Sequence, residues 1–175
     1  MDFDPATKAR LKLIYPDMAI RVIRLIGDMQ RLTKLSMRVS EGFRTFDRQA
    51  ELYASGRTAK GPILTNARAG ESMHHYGCAV DLCFRGLDPY LTKLTKDQRD
   101  EVWKTFGRLA TAYGFDWGGD WNGNGRVDKN DFDRPHIQCL YGLQPDYIRE
   151  LYRVNGTRAV WGAFRLEDWL NSGSV

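Results

Sequence analysis

The sequence predicts an α+β fold with a small, mainly antiparallel sheet packed by helices, because helical and strand periodicities intersperse without regular strand-helix-strand alternation. Two patterns carry this expectation. Met18, Val22, Leu25, Met29 and Leu32 recur at four-three spacing, which lays one apolar stripe along a helix, whereas Met37, Val39 and Phe43 fall on alternate positions, as on a half-buried strand. The 175 residues are 42% hydrophobic and 12% aromatic, enough for one substantial core with little room for a second. No Pro/Gly/Ser-rich linker, internal repeat or low-complexity run divides them. A single domain over 1–175 is therefore expected, with a motif-bearing core at about 10–140 and a helical completion at 141–175.

In chain order, the stripe predicts a helix over 17–33 and the alternation a strand over 36–43. Thr45, with Asp47 in the first turn, starts a helix that ends near Gly56. Residues 77–84 form the central strand, bearing Asp81. Thr95-x-x-Gln98 is a capping box, opening a helix through Trp103, Phe106, Leu109 and Tyr113 that Gly114 closes. A strand over 136–140, a helix near 145–154 and a short helical tail over 165–170 complete the expectation.

The chain has 3 histidines. All fall in two segments, Ser72-Met73-His74-His75-Tyr76-Gly77-Cys78-Ala79-Val80-Asp81 and Asp133-Arg134-Pro135-His136. Two imidazoles and one carboxylate, from His74, His136 and Asp81, suit zinc and leave a fourth tetrahedral position open for water, as in catalytic rather than structural sites. Asp133, three residues before a ligand, can lie near the metal without binding it and act as general base. His75 reads as structural, since on an extended chain its side chain points away from that of His74.

Ser72, His74, Gly77, Ala79 and Asp81 match the five fixed positions of Ser-x-His-x-x-Gly-x-Ala-x-Asp. With this motif the chain resembles the zinc peptidoglycan peptidase family of VanY-type D-alanyl-D-alanine carboxypeptidases and phage L-alanyl-D-glutamate endolysins. Gly42-Phe43-Arg44-Thr45, Gln49, Leu52-Tyr53, Gly56-Arg57-Thr58 and Thr65-Asn66 resemble the family's upstream half; Trp117-Gly118-Gly119-Asp120-Trp121 and Asp133-x-Pro135-His136 resemble its downstream half. The resemblance implies that His74, Asp81 and His136 hold zinc, that Asp133 is the base, and that Arg44 binds substrate near the scissile carbonyl. Ser72 either caps a turn or makes a hydrogen bond to substrate or to a group supporting the metal ligands.

Between the two halves, residues 120–131 match an EF-hand loop. Asp120, Asn122, Asn124, Asp128 and Asp131 supply side-chain oxygens, Arg126 a backbone carbonyl, and Gly125 the sharp turn. Asp131 replaces the usual bidentate Glu, so weak calcium binding is expected, with a dissociation constant of roughly 10⁻⁵ to 10⁻³ M.

A formal charge of +4 favours approach to polyanions without identifying one, and no nucleic-acid motif accompanies it. Three cysteines cannot pair completely, which agrees with a reducing compartment; Cys83 shares a strand face with Asp81 and reads as a packed thiol beside the site, or as a fourth zinc ligand. The acidic, proline-bearing N-terminus lacks the features of a secretory signal, and no transmembrane-length apolar run occurs. The expected protein is a monomeric phage endolysin made in the host cytoplasm and reaching the wall after holin-dependent permeabilisation. It would cleave the L-alanyl-D-glutamate bond of the stem peptide under calcium control. The alternatives are a D-alanyl-D-alanine carboxypeptidase or dipeptidase, and a non-catalytic zinc and calcium binding module.

Overall fold

Strands and helices arrange as the periodicities imply, but in a chain order richer than expected. The computed structural model describes residues 2–87, 91, 93–124 and 133–171. Among the described residues, five helices, α1 (Pro5–Leu11), α2 (Pro16–Thr33), α3 (Phe46–Ala54), α4 (Lys96–Ala112) and α5 (Pro145–Asn171), accompany four strands, β1 (Met37–Glu41), β2 (Ala79–Phe84), β3 (Asp116–Trp117) and β4 (His136–Gln138). A 3-10 turn spans Met73–Tyr76. Contacts divide the chain into two units, Met1–Gly42 with Ala79–Cys139 and Phe43–Cys78 with Leu140–Val175.

The first unit holds the whole sheet, in the order β1-β2-β4-β3 with every pairing antiparallel. Pro16 at the first turn and left-handed Lys34 at the end delimit α2, whose buried face is Met18, Val22, Leu25, Ile26 and Met29. Leu32, expected in that stripe, lies in the last turn and is 47% exposed. Thr95 and Gln98 form the capping box of α4 as predicted. From that helix Trp103 meets Phe84 edge-on at 5.4 Å, and Phe106 meets Trp117 at 6.1 Å, so aromatic packing joins helix to sheet. The strand expected over 36–43 is shorter, Met37–Glu41, and its pairing slips between Val39 and Glu41, a bulge next to the Glu41–Asp81 pair.

The second unit is built on α3, the 3-10 turn and α5. Thr45 caps α3 by accepting from the Arg48 N–H. Arg57 ties down the loop that follows, donating to the carbonyls of Tyr53 and Thr65 and to Asn66 Oδ1. Leu140–Val175 groups here with Phe43–Cys78. The helix expected near 145–154 ends at the non-helical Asn155 and Gly156, and a second helical segment, longer than the expected tail, runs on to Asn171, the two together forming α5. It supports the 3-10 turn: Trp161 Nε1 donates to the Tyr76 carbonyl at 3.0 Å, and Tyr152 meets the Tyr76 ring at 5.2 Å.

Candidate metal centre

Sheet register brings the first two candidate ligands together. Asp81 and His136 are direct partners across β2 and β4, so their side chains emerge from the same face. His136 Nδ1 lies 3.1 Å from Asp81 Oδ1, and its Nε2 lies 3.2 Å from Gln138 Oε1. Gln138 can accept the Nε2 proton, which would leave Nδ1, beside the carboxylate, as the nitrogen through which a neutral ring could bind a metal. Sequence reading missed Gln138, although its spacing two residues beyond His136 on a strand places it on the same face. Gly118 permits the close approach of the neighbouring chain. A Cβ there would sit 2.3 Å from the Asp133 carbonyl oxygen and 3.1 Å from the His136 Cβ.

His74 enters from the 3-10 turn. Gly77 ends that turn at φ 70°, a left-handed conformation that glycine adopts without a side-chain clash, and the chain passes through Cys78 directly into β2. His74, Asp81 and His136 each offer a ligand atom, and all of these lie within 4.8 Å of one another. For bonds of about 2.0–2.2 Å the edge of a tetrahedron is roughly 3.3–3.6 Å. The 3.1 Å separation of Nδ1 and Oδ1 is close to that edge. The donor set is that of borderline-soft divalent ions such as zinc, so the residues fit the metal predicted for them.

Burial opposes protonation of His136, but the hydrogen bond and charge of Asp81, with the charge of Asp133, outweigh it and raise the pKa above the ordinary imidazole value. Asp133 is thus close enough to be felt at the ring while standing outside the ligand cluster. Cys83 is also outside the cluster, a buried free thiol that accepts from Arg38 Nε at 3.2 Å, which corresponds to the packed-thiol alternative. Ser72 precedes the 3-10 turn without a side-chain capping bond.

Arg44 is 9% exposed and donates through Nη1 to Gln49 Oε1 at 2.8 Å. Its backbone N–H donates to the His74 carbonyl at 3.3 Å, which fixes it beside the turn carrying that ligand. His75 lies in the 3-10 turn, not on the extended chain expected, and is buried. Of the calcium candidates, Asp120 and Asn122 side-chain oxygens both accept from the Asn124 N–H, at 3.0 and 3.1 Å. Arg126, Asp128 and Asp131 lie outside the described residues, as does Gly125.

A family model described as D-alanyl-D-alanine carboxypeptidase, of the M15 peptidases, matches residues 65–139. The peptidoglycan L-alanyl-D-glutamate endopeptidase CwlK of Bacillus subtilis (strain 168) is 39% identical over 106 residues, covering 58% of this chain and 59% of CwlK. The chain thus matches about three-fifths of the length of that curated relative. The solved LdcB LD-carboxypeptidase shares the fold at a TM-score of 0.51 and 22% identity, over 85% of this chain and 76% of its own. The L-Ala D-Glu endopeptidase ChiX of Serratia marcescens is 27% identical, covering 84% of this chain and 93% of its own at a TM-score of 0.47. The matched segment includes two of the three clustered ligands' strands and the turn of the third.

Proposed function

We propose, on the premise that these matches agree with a zinc peptidoglycan peptidase family, that this chain is a zinc-dependent endopeptidase cleaving the L-alanyl-D-glutamate bond of the stem peptide. The observation that carries the reading is the convergence of His74, Asp81 and His136 within 4.8 Å, with Asp133 felt at His136 but outside the set. Zinc held by the three would supply a Lewis acid that polarises the scissile carbonyl and makes water more acidic. Asp133 takes a proton from the attacking water and returns it to the departing amine. The Arg44 guanidinium, held by Gln49, faces the carbonyl oxygen as it gains negative charge. Ser72, whose hydroxyl caps no turn, hydrogen-bonds the substrate peptide.

The reading extends to a phage endolysin that is made in the host cytoplasm and reaches the wall once the membrane is opened. Residues 120–131 would bind calcium and regulate it, a role supported by the match of that sequence to a calcium loop. A second reading, hydrolysis of a terminal D-alanyl-D-alanine bond, is favoured by the description of the matching family. Mass spectrometry of fragments from purified peptidoglycan separates them. New N-terminal D-glutamate is the expected product, and loss of only a terminal D-alanine would replace the first reading with the second.

A further inference from the structure

His75 adjoins His74 in the chain yet stands outside the ligand cluster. Its ring is fully buried, stacked on Phe46 with centroids 4.2 Å apart and planes 4° from parallel, and edge-on to Tyr76 at 5.9 Å. A phenyl ring would fill the same space without burying a polar nitrogen. The imidazole instead carries Nε2, buried and without a hydrogen-bond partner among the described residues, an arrangement that native interiors largely avoid.

The compensation lies at the other nitrogen. Nδ1 is 2.7 Å from the Arg44 carbonyl oxygen. That oxygen can only accept, so Nδ1 carries the hydrogen and the tautomer is set. Arg44 in turn donates its N–H to the His74 carbonyl at 3.3 Å. The Arg44 backbone is therefore gripped at both of its polar groups by two consecutive residues of the 3-10 turn.

We propose that His75 is a positioning residue whose Nδ1–H fixes the Arg44 backbone against the turn presenting His74, so that the guanidinium and the metal ligand keep one mutual geometry. This rests on the reading of Arg44 as a substrate-binding group. A buried group that breaks a local packing rule is where function outweighs local stability.

Two substitutions separate positioning from packing. His75→Phe keeps the ring stack and removes the donor; His75→Asn places an amide N–H near the position of Nδ1 and removes the ring. In the zinc-loaded full chain acting on a soluble stem peptide, His75→Phe should lower kcat roughly ten- to hundredfold, the scale of a misplaced reacting group, with KM changed less. Its zinc content and unfolding midpoint should stay near those of the parent, because the ring stack on Phe46 is kept and the unpartnered buried Nε2 is removed along with the donor. His75→Asn should recover much of kcat despite a lower midpoint. Unchanged kcat in His75→Phe overturns the proposal. So does a His75→Phe chain that fails to fold, or a His75→Asn chain that loses more activity in step with its stability, since either marks a role in stability alone. Arg44→Lys, measured alongside, distinguishes the two levels. Impaired Arg44→Lys with normal His75→Phe removes only the positioning claim, whereas normal Arg44→Lys removes the reading of Arg44 and the role of His75 with it.

Discussion

Asp133 accepts the His136 N–H through its backbone carbonyl at 3.0 Å, its charge helps raise the His136 pKa, and under the proposed function its carboxylate is the base rather than a ligand. Asp133→Asn should therefore retain about one zinc per chain and lose at least ~100-fold in turnover, the usual scale of general-base catalysis. Loss of zinc from that variant would make Asp133 a ligand instead. His74→Ala and His136→Ala should lose zinc and turnover together, because each removes one of three protein ligands. The raised pKa of His136 adds a pH dependence. Its pairing with Asp81 stabilises the metal-free fold below the ordinary imidazole value of about 6.5, and that contribution is lost as pH rises through the raised value. Zinc needs the neutral ring, so the gap between unfolding midpoints with and without zinc should widen from about pH 6 to about pH 8. A gap that stays constant over this window contradicts ligation by His136. The clustering of the three candidate ligands was legible in the sequence, because scarce histidines and a carboxylate fell into two short segments. The partners of those ligands were less so: the contact of Gln138 with His136 needs the strand geometry, and the bond from His75 to Arg44 joins residues far apart in the chain.

At the scale of elements, the close approach at Gly118 holds the entry to β4. Gly118→Ala should cost roughly 1–3 kcal/mol as an overpacked contact, because the new Cβ meets the Asp133 carbonyl oxygen at 2.3 Å. Since the strain falls on Asp133 and His136, turnover should fall further than the lower unfolding midpoint accounts for. A variant with parental midpoint and kcat would show that this segment yields without disturbing the site. Helices with explicit start signals were legible: Thr45 and the Thr95 to Gln98 box cap α3 and α4 where expected. The helix α1 was not, although Asp4 caps it and Pro5 opens it, because its seven residues bury only Thr7 and Leu11 and show no stripe. Nor was β3, whose two residues are too few for alternation. The break in α5 at Asn155 and Gly156 reads in sequence as a stop, while the helix resumes beyond it.

Across the molecule, Phe43–Cys78 groups with Leu140–Val175, a pairing that sequence periodicity cannot register because it depends on which faces meet. The proposed calcium loop would be the other feature to act beyond one element, since its final residue, Asp131, precedes Asp133 by two positions. With zinc still bound, a calcium-selective chelator should lower turnover and added calcium should restore it, with Asp120→Ala combined with Asp128→Ala reproducing the chelated state. Full activity of that double variant at negligible free calcium would remove the regulatory role. The most direct test of the central claim is titration of zinc into the metal-free chain while cleavage of a soluble stem peptide is followed. Activity should rise linearly to about one zinc per chain and then level, as a single site with three protein ligands requires. Cleavage that is independent of zinc, or equal zinc uptake by a chain carrying His74→Ala, Asp81→Ala and His136→Ala, would contradict it.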